Sequence, residues 1–531
     1  MWLGPPSSQA LEDEGHPPVD LLLQGVVGKG RAHEDVSSVL RLADDKGGIS
    51  RGPREEFLQE FSQGLWPRLR SDVATRQDDG SRHIPAKRTC TVRALRSLPI
   101  HGARSYPGWR IDSAVADARP GSLWGNRDFL KLWTGESISV FGSQFTGIAL
   151  PVIALQLGAT TIEFGILSAL GTAPFLLFGL FVGVWVDRWA RRPILIAGDV
   201  GRGIIMAAIA VLVLSGMLGF VHLYLAAFLT GTLTVFFDVA YQAYVPSLVA
   251  TDQLVDANGK LETTRAAAQV AGPGIGGVIV AVLRPAAAMI LDAVTFFVSG
   301  AFLLAIRKRE VAPEKRRTSM VADVREGAKV VFGDRRLRGI AGCTATSNFF
   351  ASAGGAVFVL FLAVDLGYSG STVGGVLGLV FSVASVGGLL GAAIAGRVAK
   401  RIGVGNAIVL GAALFVLGPG LTVLAVQPYA IPMLIAGFFV TILAALVYNV
   451  NQVSFRQAIT PNRLQGRMNA TMRFLVWGTL PLGAIFGGVL GTVIGLRETL
   501  AVALVGGSTA VFWILASPVP SVREMPKPRR G

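Results

Sequence analysis

Three carboxyl groups stand inside long apolar runs of the sequence, where a charge is costly. Glu136, Asp238 and Asp292 are each flanked by residues that are mostly apolar or small. A charged side chain at the centre of a membrane helix costs about 2.5 to 3.5 kcal/mol on insertion scales. A carboxyl group in such a place can take up a proton on one side of a membrane and release it on the other. We treat these three as candidate proton carriers, with a hydrogen-bonded structural role as the alternative.

Other polar groups in the apolar runs could bind a ligand or join helices. Asp199 and Arg202 are three residues apart and share one helical face, which predicts a structural pair together with the basic loop after span 2, or a gating latch. Seven amide side chains could face a central cavity, although interhelical hydrogen bonding is the commoner role. They are Gln144, Gln242, Gln269, Asn348, Asn449, Asn451 and Gln452. The aromatic residues Phe141, Phe237, Tyr241, Phe349 and Trp477 could line an apolar site or simply pack.

Composition places these residues in a membrane protein. Of the 531 residues, 51% are hydrophobic and only 16% are charged, which excludes a soluble enzyme. The net charge is +15, yet residues 1–125 hold 17 Lys and Arg against 16 Asp and Glu. The excess therefore lies in short breaks between apolar runs, which is typical of cytoplasmic membrane loops and not of a nucleic-acid-binding surface.

Twelve apolar runs of about 20 residues follow one another from Phe129, each long enough to cross about 30 Å of hydrocarbon. They lie near 129–155, 163–185, 193–215, 220–246, 265–283, 286–306, 339–363, 371–395, 405–425, 429–450, 472–493 and 497–516. The basic residues concentrate in alternate breaks, while the other breaks offer only Arg284 and Arg497. By the positive-inside rule the basic breaks are cytoplasmic, and an even number of spans puts both termini there.

The two sets of six spans are related in sequence. Gly125-Asn126-Arg127 before span 1 matches Gly333-Asp334-Arg335 before span 7, and Pro273 in span 5 matches Pro481 in span 11. Both matches have an offset of 208 residues. An offset of six spans keeps the membrane orientation, so the halves are predicted to be parallel repeats.

The predicted organisation has five parts. A six-helix bundle covers residues 122–306, a basic cytoplasmic linker 307–338, a second six-helix bundle 339–518 and a cytoplasmic tail 519–531. Residues 1–121 are polar and rich in Pro and Gly, which predicts a disordered extension. The open alternative is that the translation start is assigned too early and that synthesis begins near residues 110–125.

The break after span 2 carries a motif whose residue types suit a tight turn at the membrane surface. It comprises Gly183, Asp187, Arg188, Arg191 and Arg192. Glycine lets helix ends approach closely, and the arginines anchor the turn at the membrane surface. This pattern resembles motif A of the major facilitator superfamily. A degenerate copy follows span 8, with Gly396 in place of the aspartate.

Span 5 carries a second pattern that resembles motif C, which that superfamily's exporters carry. It comprises Gly272, Pro273, Gly276 and Gly277, with Ala268 where a glycine is usual. A kinked packing helix is the alternative. Asp199-x-x-Arg202, Tyr244-x-Pro246 and Leu291-Asp292-Ala293 add a resemblance to the exporter branch with macrolide-efflux and enterobactin-exporter-like proteins. The resemblance covers residues 122 to about 518.

The resemblance implies an all-α membrane protein with twelve transmembrane helices in two six-helix bundles, the major facilitator fold. It implies a monomer in the cytoplasmic membrane that exports small amphipathic compounds, a drug or a siderophore, by proton antiport and alternating access. We expect no cofactor beyond the proton gradient, no metal and no nucleic-acid partner. The sequence has no phosphate-binding loop and no His-Glu-x-x-His motif, so we expect no enzyme. A lysolipid or lipid translocator, an importer and a non-transporting membrane sensor are the alternatives.

Overall fold

Twelve helices of the described residues are long and apolar enough to cross a membrane, which confirms the predicted number. The computed structural model describes residues 123–526 except 180, 187, 251, 252, 309 and 311–319, so the predicted extension 1–121 lies outside the described part. In chain order the helices are α1 (Arg127–Gln156), α2 (Thr161–Phe178), α3 (Arg191–Leu214), α4 (Phe220–Leu248), α5 (Leu254–Leu283), α6 (Pro285–Ala305), α7 (Arg335–Asp365), α8 (Thr372–Ile402), α9 (Val404–Val423), α10 (Ala430–Ile459), α11 (Arg463–Ile494) and α12 (Leu496–Leu515).

Within each half the helices alternate in direction, because short connections join consecutive spans. We call the end at which α1 begins the basic end, since its connections carry residues such as Arg191, Lys260, Arg401 and Arg463. The other end is called the opposite end. The N-terminal half is α1–α6 and the C-terminal half is α7–α12.

The same kind of helix cap starts each half, at the two positions that the sequence repeat relates. Asn126 caps α1 by accepting a hydrogen bond from the Phe129 N–H at 3.0 Å. Asp334 caps α7 by accepting one from the Arg336 N–H at 2.8 Å. Burial acts to raise the Asp334 pKa, but hydrogen bonds from the Arg336 side chain and backbone outweigh it, so that pKa lies below its usual value. With this cap, α7 begins at Arg335, earlier than the predicted boundary at 339.

The linker region contains a helix that belongs to the C-terminal half. This helix, Met320–Gly333, carries Glu326, which forms an ion pair with Arg467 of α11. Val331 of the same helix lies in the buried core at the basic end of the C-terminal half. Residues Arg307 and Lys308 instead donate backbone hydrogen bonds to Asp128 of α1. The linker is therefore attached to both halves, by its first residues to one and by its helix to the other.

The tail also joins the C-terminal half at the basic end. Val519 is fully buried, and the carbonyls of Val522 and Arg523 accept hydrogen bonds from the first N–H groups of α9. These N–H groups have no partner within their own helix. The first part of the predicted tail 519–531 is thus a cap for α9.

The halves meet along α2 with α11 and along α5 with α8, with pseudo-symmetric close approaches. A Cβ on Gly165 of α2 would lie 2.9 Å from the Gly488 Cα of α11. A Cβ on Gly374 of α8 would lie 2.6 Å from the Val280 Cγ1 of α5. The corresponding positions are 209 and 208 residues apart, so the repeat extends to the packing between the halves.

Candidate functional site

The two membrane ends differ in how the halves pack. At the opposite end one buried apolar core includes residues of both halves, such as Val152 and Ala293 with Val357 and Val380. At the basic end the described residues form two separate cores. One contains Phe129 and Tyr244 of the N-terminal half, and the other contains Tyr448 and Met472 of the C-terminal half. Since apolar surfaces that meet are buried together, the structure is closed at the opposite end and divided at the basic end.

Ionisable side chains face this division. Glu136 of α1 and Asp238 of α4 are both partly exposed, although each lies within a span. Neither carboxyl group makes a hydrogen bond or ion pair with another described residue. Arg202 of α3, Arg265 of α5 and Arg473 of α11 act electrostatically on Asp238, so charges from both halves converge there. These two predicted proton carriers are therefore reachable from the basic end.

Asp292, the third predicted carrier, has a different environment. It is 1% exposed, on α6. Its carboxylate accepts hydrogen bonds from the hydroxyl of Thr146 on α1 and, at 3.3 Å, from that of Thr295. A Cβ on Gly142 would lie 2.7 Å from its Oδ1. Asp292 thus joins α6 to α1 within the N-terminal half, and the structure does not bring it to the opening with Glu136 and Asp238.

Asp199 and Arg202 form the predicted ion pair, with Nη2 and Oδ1 2.7 Å apart. The pair is buried, at 0% and 7% exposure. The Arg202 guanidinium lies between two phenyl rings, 4.3 Å from the Phe237 centroid and 4.4 Å from the Phe296 centroid. Both contacts are within cation–π range. The partners of this pair lie inside the N-terminal half, and its described contacts do not include the motif A loop.

The arginines of motif A hold the end of α6. Arg191 binds Glu310 through its backbone N–H at 2.7 Å and its Nη1 at 3.1 Å. Arg192 donates to the carbonyls of Leu303 and Leu304. Gly183 lies in a short helix, Val182–Val186, and Arg188 is exposed, whereas Asp187 lies outside the described residues. In this structure the described motif A contacts are thus made with the end of α6 and with the first residues of the linker.

The glycines of motif C are packing surfaces on two sides of α5. A Cβ on Gly276 would lie 3.0 Å from the Phe145 Cα of α1, and one on Gly272 would overlap the Gln144 side chain. A Cβ on Gly277 would lie 2.8 Å from the Gly378 Cα of α8. Pro273 is buried between these two surfaces. The motif therefore lets α5 contact its own half and the other half at once.

A cavity of about 570 Å³ is lined mainly by helices of the C-terminal half, and Gly147 and Pro151 of α1 form part of its wall. Of the predicted amides, Asn348 and Asn449 line it. Its aromatic lining is Phe350, Phe358, Phe381, Phe415, Phe438, Tyr448 and Trp477. Of these, only Trp477 was predicted, because these helices are apolar on every side and their sequence does not show which face turns inward.

The other predicted amides lie elsewhere. Gln144 packs on Gly272, while Gln242 and Gln269 are exposed side chains outside the cavity lining. Asn451 donates to the carbonyls of Ala395 and Val447, so it joins α10 to α8. Gln452 donates to Asn449 Oδ1 at 3.2 Å. Among these contacts, the hydrogen bond from Asn451 to Ala395 joins two helices, whereas Gln452 and Asn449 are both on α10.

Several known proteins are similar to this chain in sequence. The multidrug efflux pump Tap of Mycolicibacterium fortuitum is 30% identical over 407 residues, which cover 72% of this chain and 93% of that protein. Macrolide efflux protein A of Streptococcus pyogenes is 22% identical over 386 residues, or 70% and 91% of the two chains. The enterobactin exporter EntS of Salmonella typhi is 25% identical over 351 residues, or 64% and 80%.

Solved structures share the fold. A bacterial homologue of the iron transporter ferroportin in its inward-facing state has a TM-score of 0.59 and 16% identity, covering 73% of this chain and 98% of its own. The nucleoside transporter NupG has a TM-score of 0.57 and 13% identity, with coverage of 73% and 98%. The sequence model described as Major Facilitator Superfamily matches residues 132–379. Since the similarity to Tap extends over nearly all of that protein, the chain belongs to the Major Facilitator Superfamily, whose members are membrane transporters and not enzymes.

Proposed function

We propose that this chain exports small amphipathic compounds, a drug or a siderophore, across the cytoplasmic membrane in exchange for protons. The names of its relatives, which include multidrug and macrolide efflux proteins and an enterobactin exporter, support the direction and the substrate class. The basic end faces the cytoplasm with both termini, in keeping with the positive-inside rule. The chain works as a monomer and needs no cofactor beyond the proton gradient.

The observation that carries this proposal is the position of Glu136 and Asp238. Both carboxyl groups lie within spans, lack a bound partner among the described residues and are partly exposed at the basic end. A carboxyl group that is unpaired and reachable from one side can bind and release a proton without breaking an ion pair. In the alternate state, opened at the opposite end, the same groups would load protons from outside.

The shared core at one end and the divided cores at the other support alternating access. Rocking of the halves about α2–α11 and α5–α8 would close the basic end and open the opposite end. The motif A arginines, now bound to Glu310 and the end of α6, would then contact the other half. Proton binding at Glu136 or Asp238 would remove a charge and so favour closure of the basic end.

The test is transport by the purified full chain in vesicles with the basic end outward. A labelled macrolide and labelled enterobactin should each be offered with and without an acidic lumen. Accumulation of at least one compound that needs the acidic lumen and is abolished by a protonophore supports proton-coupled export. Accumulation without a gradient contradicts the coupling. Lipid movement without drug movement would favour a lipid translocator, and binding without flux a sensor.

A further inference from the structure

We propose that the cavity lined mainly by the C-terminal half binds an uncharged, ring-bearing part of the exported compound, while the N-terminal half carries the protons. This inference rests on the proposed export function and adds the location and the chemistry of the substrate site. It divides the two tasks of the transporter between the two halves.

The distribution of charges supports the division. Glu136, Asp199, Asp238 and Asp292 are all in spans of the N-terminal half. The described residues that line the C-terminal cavity include no Asp, Glu, Lys, Arg or His. A charged group without a counter-ion is costly to hold in apolar surroundings. The cavity therefore suits an uncharged group, because a cationic part of a substrate would find no counter-ion among the described residues that line it.

The walls of the cavity favour rings. Phe358, Phe381 and Phe438 form one aromatic cluster, with centroids 4.9 Å apart for Phe358 and Phe438 and 5.3 Å apart for Phe381 and Phe438. Trp477 and Phe415 also line the space. Aromatic faces and edges bind other rings in stacked or edge-to-face contacts. A volume of about 570 Å³ lies within the range of about 300 to 1,000 Å³ that is usual for small-molecule sites.

Two amides give the cavity a way to orient its ligand. Asn348 donates to the Val476 carbonyl at 3.0 Å, and its Oδ1 has no hydrogen-bond partner among the described residues. Asn449 accepts from Gln452 at 3.2 Å, and its Nδ2 likewise has no partner there. The cavity thus presents one free acceptor and one free donor. A few placed polar groups in an apolar pocket are the usual source of orientation and specificity.

Gly355 allows a test that keeps the fold intact. It lines the cavity, and a Cβ at this position would meet nothing within 4 Å. Gly355→Leu should therefore fold and partly fill the cavity. Gly259→Leu is the matched control, because a Cβ on this α5 glycine also meets nothing and Gly259 is outside the cavity lining. Phe438→Ala, with the exposed Phe512→Ala as its control, tests the aromatic wall.

The measurement is equilibrium binding of two labelled probes to the full-length protein, the uncharged aromatic chloramphenicol and the permanent cation ethidium. Gly355→Leu and Phe438→Ala should each weaken chloramphenicol binding by about tenfold, or about 1.4 kcal/mol. The two controls should bind it as the wild type does, and ethidium binding should not change. Equal chloramphenicol binding by Gly355→Leu and wild type would overturn the inference, as would a parallel loss of ethidium binding.

Failure of the inference can be told from failure of the proposed function. Wild-type export of a macrolide without chloramphenicol binding would overturn the inference and leave export standing. A wild-type protein that binds chloramphenicol at Gly355 but moves no compound in vesicles would contradict the proposed export and keep the assigned site.

Discussion

The hydroxyls of Thr161 and Thr492 lie 2.5 Å apart, so a hydrogen bond joins α2 of one half to α11 of the other at the opposite end. A few residues deeper, Gly165 and Gly488 bring the same two helices into backbone contact. Under the alternating access proposed above, this contact must break in every cycle. The pair is therefore a place at which the cycle can be stopped.

Thr161→Cys with Thr492→Cys should form a disulfide that blocks transport. The two hydroxyls occupy positions close enough for a sulfur–sulfur bond, provided that Cys90 and Cys343 are first replaced. Transport in vesicles should be lost after mild oxidation and return after reduction. Each single cysteine variant should transport under both conditions. Full transport by the cross-linked protein would show that this end does not open.

Gly488→Leu should disfavour the conformation that is closed at the opposite end. A Cβ at this position would lie 2.8 Å from the Thr161 carbonyl oxygen and 2.9 Å from the Gly165 Cα, which are backbone atoms that cannot rotate away. Overpacking of this kind costs about 1 to 3 kcal/mol. The halves should separate at the opposite end, and Val152, buried in their shared core, should become accessible.

The measurement is labelling of Val152→Cys by a membrane-impermeant maleimide, in a background without the two native cysteines. Labelling should be about tenfold faster with Gly488→Leu. Gly370→Leu, at the same end but with no atom near its Cβ, should leave the slow rate unchanged. Equal rates in the three backgrounds would contradict a closed opposite end.

Asp238→Asn and Glu136→Gln should each abolish accumulation driven by a pH gradient while ligand binding is kept. An amide has the shape of the carboxyl group but cannot take up or release the proton. Exchange of labelled for unlabelled compound without a gradient should continue. Glu498→Gln is the control, because Glu498 is an exposed carboxyl group at the opposite end. Wild-type accumulation by both variants would show that neither Glu136 nor Asp238 carries the coupling proton.

Sequence predicted the spans, the repeat and the buried ion pair because each depends on local composition or spacing. Hydropathy alone locates α1 to α12, and a three-residue spacing places Asp199 beside Arg202. Phe358, Phe381 and Phe438 could not be predicted as one cluster, since they come from three helices whose rotation depends on packing across the whole half. The contact of Arg191 with Glu310 could not be predicted either, because four spans, α3 to α6, separate the two residues in the chain.

Loss of one member of the buried Asp199–Arg202 pair should destabilise the protein more than replacement of both members. Arg202→Ala leaves the fully buried Asp199 carboxylate without its cation and removes both ring contacts of the guanidinium. Loss of one partner of a buried pair costs about 3 to 5 kcal/mol. The double change Asp199→Asn with Arg202→Met keeps the volume and leaves no charge behind, so it should cost less. Thermal unfolding in detergent should therefore rank wild type above the double variant and the double variant above Arg202→Ala. A double variant as unstable as Arg202→Ala would mean that packing around the arginine, and not the unpaired carboxylate, determines the loss.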